Sequence, residues 1–514
     1  MNPAPPGPPA NGPALPASNA STSPARSRFA PSPTGRLHIG GARTALYDFL
    51  LARQTQGQFL LRIEDTDRKR LVPGAEEEQR EALEWLGLAW DEGPDVGGPV
   101  GPYRQSERTQ IYHEHAQLLV RGGNAYACFC TPDRLAQVRQ EQQKKKLPPR
   151  YDGRCRDLPA AEVHARLASG EGHVIRFRTP REGTTTAVDL LRGPITVENA
   201  SLDDYILLKS DGLPVYHLAA LVDDRLMGIT HVLRSSEWLP TFPLHVLIYQ
   251  AFGWEQPVWV HLSIFLNPSG KGKMSKRGAG ETVAGAMSIQ VLDLRAAGYL
   301  PEAVINWIAL MGWSLDDHTE VFTLPELVQA FSIGRLNASP AAVNYSKLDH
   351  FNGIHIRTLS FDELAHRLSP FFAAAGLGTS QDQLRRIAPL VQERIRTLEE
   401  AVEIAGFFFR DDFTPTPAAL VPKGLTPSAS QRALERALEA IRSLGDLEFE
   451  PLEARLRREA ADLELEPGQL FSVLRIAVTG QAVSPPLLPS MQVLGVDIVV
   501  RRIERAIGIL TLPV

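Results

Sequence analysis

In the segment RFAPSPTGRLHIGGARTALYDFLLARQ (residues 28–54) a short apolar stretch breaks on prolines and glycines and places His38, Gly40 and Gly41 at a turn. It then enters a helix carrying Leu46, Phe49 and Leu50 on one face. Backbone N–H groups at a helix start lack intrahelical partners, and glycine lets a ligand come close to them. Such a turn suits an anion, most often a phosphate. The stretch NPSGKGKMSKRGAG (267–280) adds Lys271, Lys273, Lys276 and Arg277 between glycines. Cations on such a loop stabilise the charge that develops when a phosphoanhydride breaks. Its spacing is not that of a Walker loop.

Three further groups have the residue types for chemistry. GQFLLRIEDTDRKR reads as a strand over Phe59–Ile63 that ends on Glu64, Asp65, Asp67, Arg68, Lys69 and Arg70, at the strand end where open α/β sheets gather functional groups. Farther along, Tyr216 and Asp224 stand among apolar neighbours, and Arg234 and Glu237 follow a β-branched run. Arginine is suited to bidentate carboxylate recognition, although a single arginine there also reads as an ordinary salt-bridge partner. The third group contains every cysteine of the chain: Cys128 and Cys130 in CFC, then Cys155 in RYDGRCRD beside Tyr151 and Asp157. Three thiolates and an oxygen donor can close a tetrahedral zinc site, with Asp157 or Tyr151 as the fourth ligand.

The elements that must position these groups follow from the pattern. The first hundred residues alternate strand, helix, strand, helix, as a parallel α/β sheet requires, with one helix opening at Pro73 and closing on Gly87. Between 173 and 234 the pattern predicts strands in HVIRFRT, YILLKSDGLPVYHLAALVDD and MGITHVLRSSEW. From GYLPEAVINWIALMGWS onward it turns helical. Apolar residues at three- and four-residue spacing mark SFDELAHRLSPFFAAAGL, LRRIAPLVQERIRTLEEAVEIAGFFF and QRALERALEAIRSL.

The 514 residues, 43% of them hydrophobic, suggest two to four globular domains, and no run has the length of a membrane span. The Pro- and Ala-rich start reads as a disordered tail without the features of a secretory signal. Three cysteines fit no disulfide framework, which points to a reducing, cytoplasmic setting. A net charge of −5 excludes a wholly basic nucleic-acid binder and confines any RNA contact to a local face.

PSPTGRLHIGG, followed by KMSKR much later, resembles the paired ATP signatures of class I aminoacyl-tRNA synthetases. RFAPSPTG, RIEDTD, KSDGLPVYHLA and DDRLMGITHVLR resemble the glutamyl members, bacterial type. The resemblance implies a Rossmann-like α/β catalytic domain with an inserted acceptor-binding domain, followed by all-α tRNA-stem and anticodon-binding domains. Its implied boundaries are a tail over 1–26, the catalytic halves over 27–110 and 205–285, an insertion over 111–204, a stem-contact domain over 286–350 and an anticodon-binding domain over 351–514.

The resemblance also implies the roles. Arg28, Ala30, Ser32, Glu64, Tyr216 and Arg234 would form the glutamate pocket, with Arg234 on the side-chain carboxylate and Glu64 on the amino group. His38, Gly40, Gly41, Glu237, Trp238, Lys273, Ser275 and Lys276 would bind ATP, and His38, Lys273 and Lys276 would act in catalysis. Gly41 stands where the His-x-Gly-His signature has its second histidine. Zinc knobs in some relatives use three cysteines and a histidine, and Asp157 stands in the histidine's place, completing an expected set of Cys128, Cys130, Cys155 and Asp157. The implied reaction joins L-glutamate to the 3′ end of tRNA through a glutamyl-adenylate, with Mg²⁺ accompanying ATP, in a monomer. The basic run Lys144–Lys146 and helix-surface arginines such as Arg385, Arg386, Arg394 and Arg396 are candidates for tRNA phosphate contacts. Two rivals are a shortened relative that glutamylates a tRNA base, disfavoured by the long helical C-terminal part, and an inactive RNA-binding paralogue, disfavoured by the intact ATP signatures.

Overall fold

A computed structural model describes residues 23–274, 288–410, 413–445 and 447–511. The expected tail lies mostly outside these, but its end does not reach residue 26: Ala25 is buried, and Arg26 already pairs with Gln58 in a sheet. The chain forms two compact units, residues 1–291 with 308–343, and residues 292–307 with 344–514. The limits expected at 286 and 350 therefore do not coincide with the packing units.

The first unit is built on parallel strands. Arg26–Phe29 and Gln58–Leu61 pair in register, Arg28 opposite Leu60, with the helix Ile39–Gln54 connecting them. The Thr230 N–H donates to Arg26 O at 2.9 Å, which brings His231–Ser235 alongside the first strand. His231–Ser235 pairs in parallel with Val258–Leu262, Arg234 opposite His261, and Asp189 pairs in parallel with Trp259. Asp189, His261 and Arg234 thus come from three adjacent strands. The hairpin Thr184–Asp189 with Gly193–Glu198 extends this sheet, although it falls inside the stretch expected to be the insertion. Within the stretch expected to be the insertion, Ala125–Cys128 and Val174–Phe177 form an antiparallel sheet with Ile206–Leu208, which lies just past its expected end at 204, and the helices Pro132–Lys144 and Ala160–Ala168 accompany them.

One element departs from the sequence reading. The second half of YILLKSDGLPVYHLAALVDD is a helix, Tyr216–Leu226. Gly212 reverses the chain at φ +80° after Ile206–Leu208, and Leu218 through Asp224 are all buried. A helix buried on every side shows no 3.6-residue period, so its apolar run reads like a strand.

The second unit is helical. Phe361–Ala374, Gln381–Val391 and Pro427–Leu444 match the predicted periodic runs, and Phe449–Asp462, Pro467–Thr479, Leu487–Leu494 and Val496–Thr511 complete a core around Leu434, Leu438, Leu470, Leu474, Met491 and Ile503. The predicted run from Leu384 to Phe409 is broken rather than continuous. It stops after Val391, where the Gln392 side chain donates to Ile356 O and Leu359 O, and resumes at Glu400–Ala405. No helix among the described residues is long and apolar enough to cross a membrane.

Candidate active site

The turn after the first strand is partly closed by its own side chain. His38 caps the helix Ile39–Gln54: its Nδ1 accepts the Gly41 N–H at 3.1 Å, while the Ile39 N–H donates to Ile289 O at 2.9 Å. Two of the N–H groups that the sequence left open for an anion are therefore engaged. A Cβ on Gly40 would meet the His38 ring at 3.1 Å, so any larger residue there presses on the capping imidazole. His38, Gly40, Gly41, Ser235, Glu237 and Lys273 line one cavity of about 220 Å³. Within it the Lys273 ammonium pairs with the Glu237 carboxylate. Arg43 braces this wall from inside, with its guanidinium 4.1 Å from the Phe265 ring centroid and Nη1 donating to Met311 O at 2.6 Å. Ser275 and Lys276 lie outside the described residues.

Ser32, Glu64 and Tyr216 line a neighbouring cavity of about 600 Å³, with Lys209 and the run Arg68, Lys69, Arg70 at its edge. Trp238 stacks on Tyr216 with ring centroids 3.9 Å apart. The Glu64 N–H donates to Pro31 O at 2.9 Å, which holds that strand end against the half-buried loop carrying Ala30. Burial raises the Glu64 carboxyl above its ordinary range against the opposing pull of Arg62 and Arg28.

Beneath this cavity lies a buried ion network. Arg62, fully enclosed, reaches Asp224 at 2.8 Å, Glu64 at 3.2 Å and Asp223 at 3.7 Å. Arg28 Nε pairs with Asp224 at 2.9 Å, and Arg108 with Asp223 at 2.7 Å. Burial works to raise the Asp224 carboxyl, but Arg28 and Arg62 together hold it below the usual range. Arg28, expected in the pocket, thus has its guanidinium engaged with the helix beneath.

Arg234 is placed differently. It is 5% exposed, its Nε donates to His261 Nε2 at 2.9 Å, and its Nη1 donates to His245 Nδ1 at 2.8 Å and to Tyr216 Oη at 3.3 Å. Its Nη2 is buried with no hydrogen-bond partner among the described residues. A buried donor without a partner costs about 1–3 kcal/mol. The histidines around Arg234 had no sequence signal, because PLHVLIY and VWVHL read as plain core segments.

The cysteines converge. Their three sulfurs lie within 4.8 Å of one another, with Cys130 and Cys155 3.5 Å apart. Tyr151 Oη stands among them, 3.4 Å from the Cys128 sulfur and 3.6 Å from that of Cys130. Asp157 does not join them: its side chain is 80% exposed and turned to Arg178 at 2.8 Å. Burial and the neighbouring sulfurs push the Cys130 thiol up to about 11, whereas hydrogen bonds from Tyr151, the Cys130 N–H and Arg176 outweigh burial at Cys128 and lower it.

Comparisons with known proteins agree with this architecture. The family model described as "tRNA synthetases class I (E and Q), catalytic domain" matches residues 24–350, and the model for an anticodon binding domain matches 363–507. The chain is 46% identical over 493 residues to a glutamate–tRNA ligase of Dehalococcoides mccartyi, covering 95% of this chain and 98% of that one. It is 45% identical over 498 residues to that of Roseiflexus castenholzii, covering 95% and 97%. A crystal structure of a glutamate tRNA ligase from Elizabethkingia meningosepticum in complex with its amino acid aligns with a TM-score of 0.83 at 36% identity, over 95% of this chain and all of that one. The chain belongs to the glutamate–tRNA ligases, class I aminoacyl-tRNA synthetases.

Proposed function

We propose that glutamate lies over Glu64 and Tyr216 with its ammonium on Glu64 and its side-chain carboxylate on Arg234. ATP then lies in the adjoining cavity, its phosphates toward His38, Gly40, Gly41 and Lys273 and its nucleoside toward Glu237 and Trp238. The observation that carries this reading is the buried, unpartnered Nη2 of Arg234, a donor that a carboxylate satisfies with a charge-assisted bond. Ser275 and Lys276 are assigned to the phosphates from the sequence alone. Ala30 and Ser32 border the amino acid, and Arg28 supports Glu64 and Asp224 from below.

The chemistry needs no enzyme nucleophile. An α-carboxylate oxygen of glutamate attacks the α-phosphorus of ATP, the bond to the bridging oxygen breaks, and pyrophosphate leaves. A ribose hydroxyl at the tRNA 3′ end then attacks the glutamyl carbonyl, and AMP leaves. Positioning and charge stabilisation supply the acceleration. Lys273 exchanges Glu237 for phosphate oxygens, and Mg²⁺ arrives with the nucleotide. Lys209 and the exposed residues 68–70 line the glutamate-side cavity, and we assign these cations to the phosphates of the incoming acceptor end.

The assignment is tested by aminoacylation with Arg234→Ala. Losing one member of a buried charged pair costs roughly 2–5 kcal/mol, so the Michaelis constant for glutamate rises by about a hundredfold; an unchanged value overturns the assignment. Parallel reactions with glutamate and glutamine tRNA transcripts establish whether one or both are charged.

For the cysteine cluster we infer a structural zinc ion held by Cys128, Cys130, Cys155 and Tyr151, with Tyr151 in place of the expected Asp157. The donor set, three sulfurs and a phenol, fits zinc's preference for four ligands. Elemental analysis is expected to give about one zinc per chain. Tyr151→Phe lowers that content while Asp157→Asn leaves it unchanged, and the opposite result restores Asp157.

A further inference from the structure

Arg234 is anchored by two imidazoles and by no carboxylate among the described residues, and we propose that this neutral mounting makes His261 and His245 the residues that set the preference for an acidic over an amide side chain. The inference rests on the reading that Arg234 receives the substrate's side-chain carboxylate.

Arginine only donates hydrogen bonds, so each ring nitrogen facing it must carry a lone pair. The other nitrogen of each ring must then hold the proton, and both have an acceptor. His261 Nδ1 donates to Asp189 Oδ2 at 2.7 Å, and His245 Nε2 donates to His217 Nδ1 at 2.9 Å. Asp189 is itself fixed by backbone: Oδ1 accepts the Leu191 and Arg192 N–H groups, both at 3.0 Å, and Oδ2 accepts the His261 N–H at 2.9 Å. The chain from Asp189 through His261, Arg234 and His245 to His217 therefore fixes one tautomer of each central ring and one orientation of the guanidinium. Burial lowers the basicity of His245 and His261, reinforced at both rings by the Arg234 charge and opposed at His261 by Asp189.

Two consequences bear on selectivity. First, no carboxylate among the described residues touches the guanidinium: Asp189 stands one imidazole away and Asp224 acts on it only through space, so the contact position is left for the ligand. Arg28 and Arg62, by contrast, touch carboxylates directly. Second, the two ring lone pairs that could receive an amide N–H are already occupied by Arg234. A carboxylate gains a charged bond at this wall, whereas an amide's NH₂ finds neither ring free to accept it. His261 and His245 touch Arg234 rather than the substrate, so they act as positioning residues.

The test is a paired substitution read out as the ratio of kcat/KM for glutamate and for glutamine in tRNA charging. His261→Gln keeps a neutral acceptor and is expected to raise the glutamate KM while largely preserving the ratio. His261→Glu places a carboxylate on Arg234, and the ratio is expected to fall at least about tenfold below that of His261→Gln. Folded Glu and Gln variants with equal ratios overturn the proposal. The same pair at His245 serves where the first does not fold. Imidazole ¹⁵N spectra of the native enzyme give an independent reading: neutral single tautomers are expected at neutral pH, and a charged His261 or His245 ring overturns it. Arg234→Ala separates the two levels. If it leaves the glutamate KM unchanged, the substrate assignment itself fails; if it raises KM while the paired variants agree, only the neutral mounting fails.

Discussion

Arg62 and Arg234 are both sealed inside the catalytic unit, yet their surroundings are opposite in kind. Around Arg62 the guanidiniums of Arg28, Arg62 and Arg108 meet the carboxylates of Glu64, Asp223 and Asp224, and the charges cancel within the floor. Around Arg234 the partners are imidazoles and a phenol, and Nη2 has no hydrogen-bond partner among the described residues; Arg62 also has a nitrogen without a hydrogen bond, Nε, but it faces the Asp223 carboxylate at 3.7 Å. The partner type separates the two roles. A carboxylate-paired arginine is a fastener, while one held by neutral acceptors keeps its charge for a ligand.

The comparison breaks first at stability. Arg62→Met takes the ion-pair partner from Glu64 and leaves Asp224 to Arg28 and Asp223 to Arg108 alone, and is expected to cost roughly 3–5 kcal/mol, whereas Arg234→Met leaves only neutral acceptors unsatisfied and costs roughly 1–3 kcal/mol. The fall in Tm is therefore larger for Arg62→Met, and the reverse order refutes the distinction.

Acidification probes the imidazole side. His217 is held down to about 4 by burial, then by Arg234, against an ordinary value of 6.5. Between those values the unfolded chain takes up the proton that the folded chain refuses. The stability tied to neutral His217 is thus complete above pH 6.5 and is lost as the pH falls toward about 4. Tm measured across that window should drop less steeply in His217→Asn, and identical slopes would show that His217 is not held neutral. The smallest effect belongs to the helical unit, where Ser380 and Gln383 cap Gln381–Val391 reciprocally. Ser380→Ala removes about 1 kcal/mol and leaves the glutamate KM unchanged.

The glycine-bearing turn at His38 and the charged strand end declare themselves in sequence because glycines and clustered ions are costly unless used. The periodic C-terminal helices do so because one face of each meets water. The interior gave no such sign. A helix buried all round, Tyr216–Leu226, lost its period, and His245, His261 and Asp189 look like isolated polar residues until adjacent strands set Asp189 and His261 in line with Arg234 and the helix Phe242–Phe252 brings His245 to it. Tyr151 and Asp157 flank Cys155 in the chain with equal claim on a metal. Only the fold turns one inward and the other toward Arg178.

The imidazole wall also sets the size of step by which such a pocket can be altered. Replacing Arg234 with a smaller neutral residue strips the donor from His261 Nε2 and from His245 Nδ1 together, and each ring is already tied on its far side to Asp189 or His217. A protein engineer seeking to accept a neutral amino acid must therefore rewrite the arginine and both histidines as one block, and a lineage changing one codon at a time must first cross variants that bind neither substrate well.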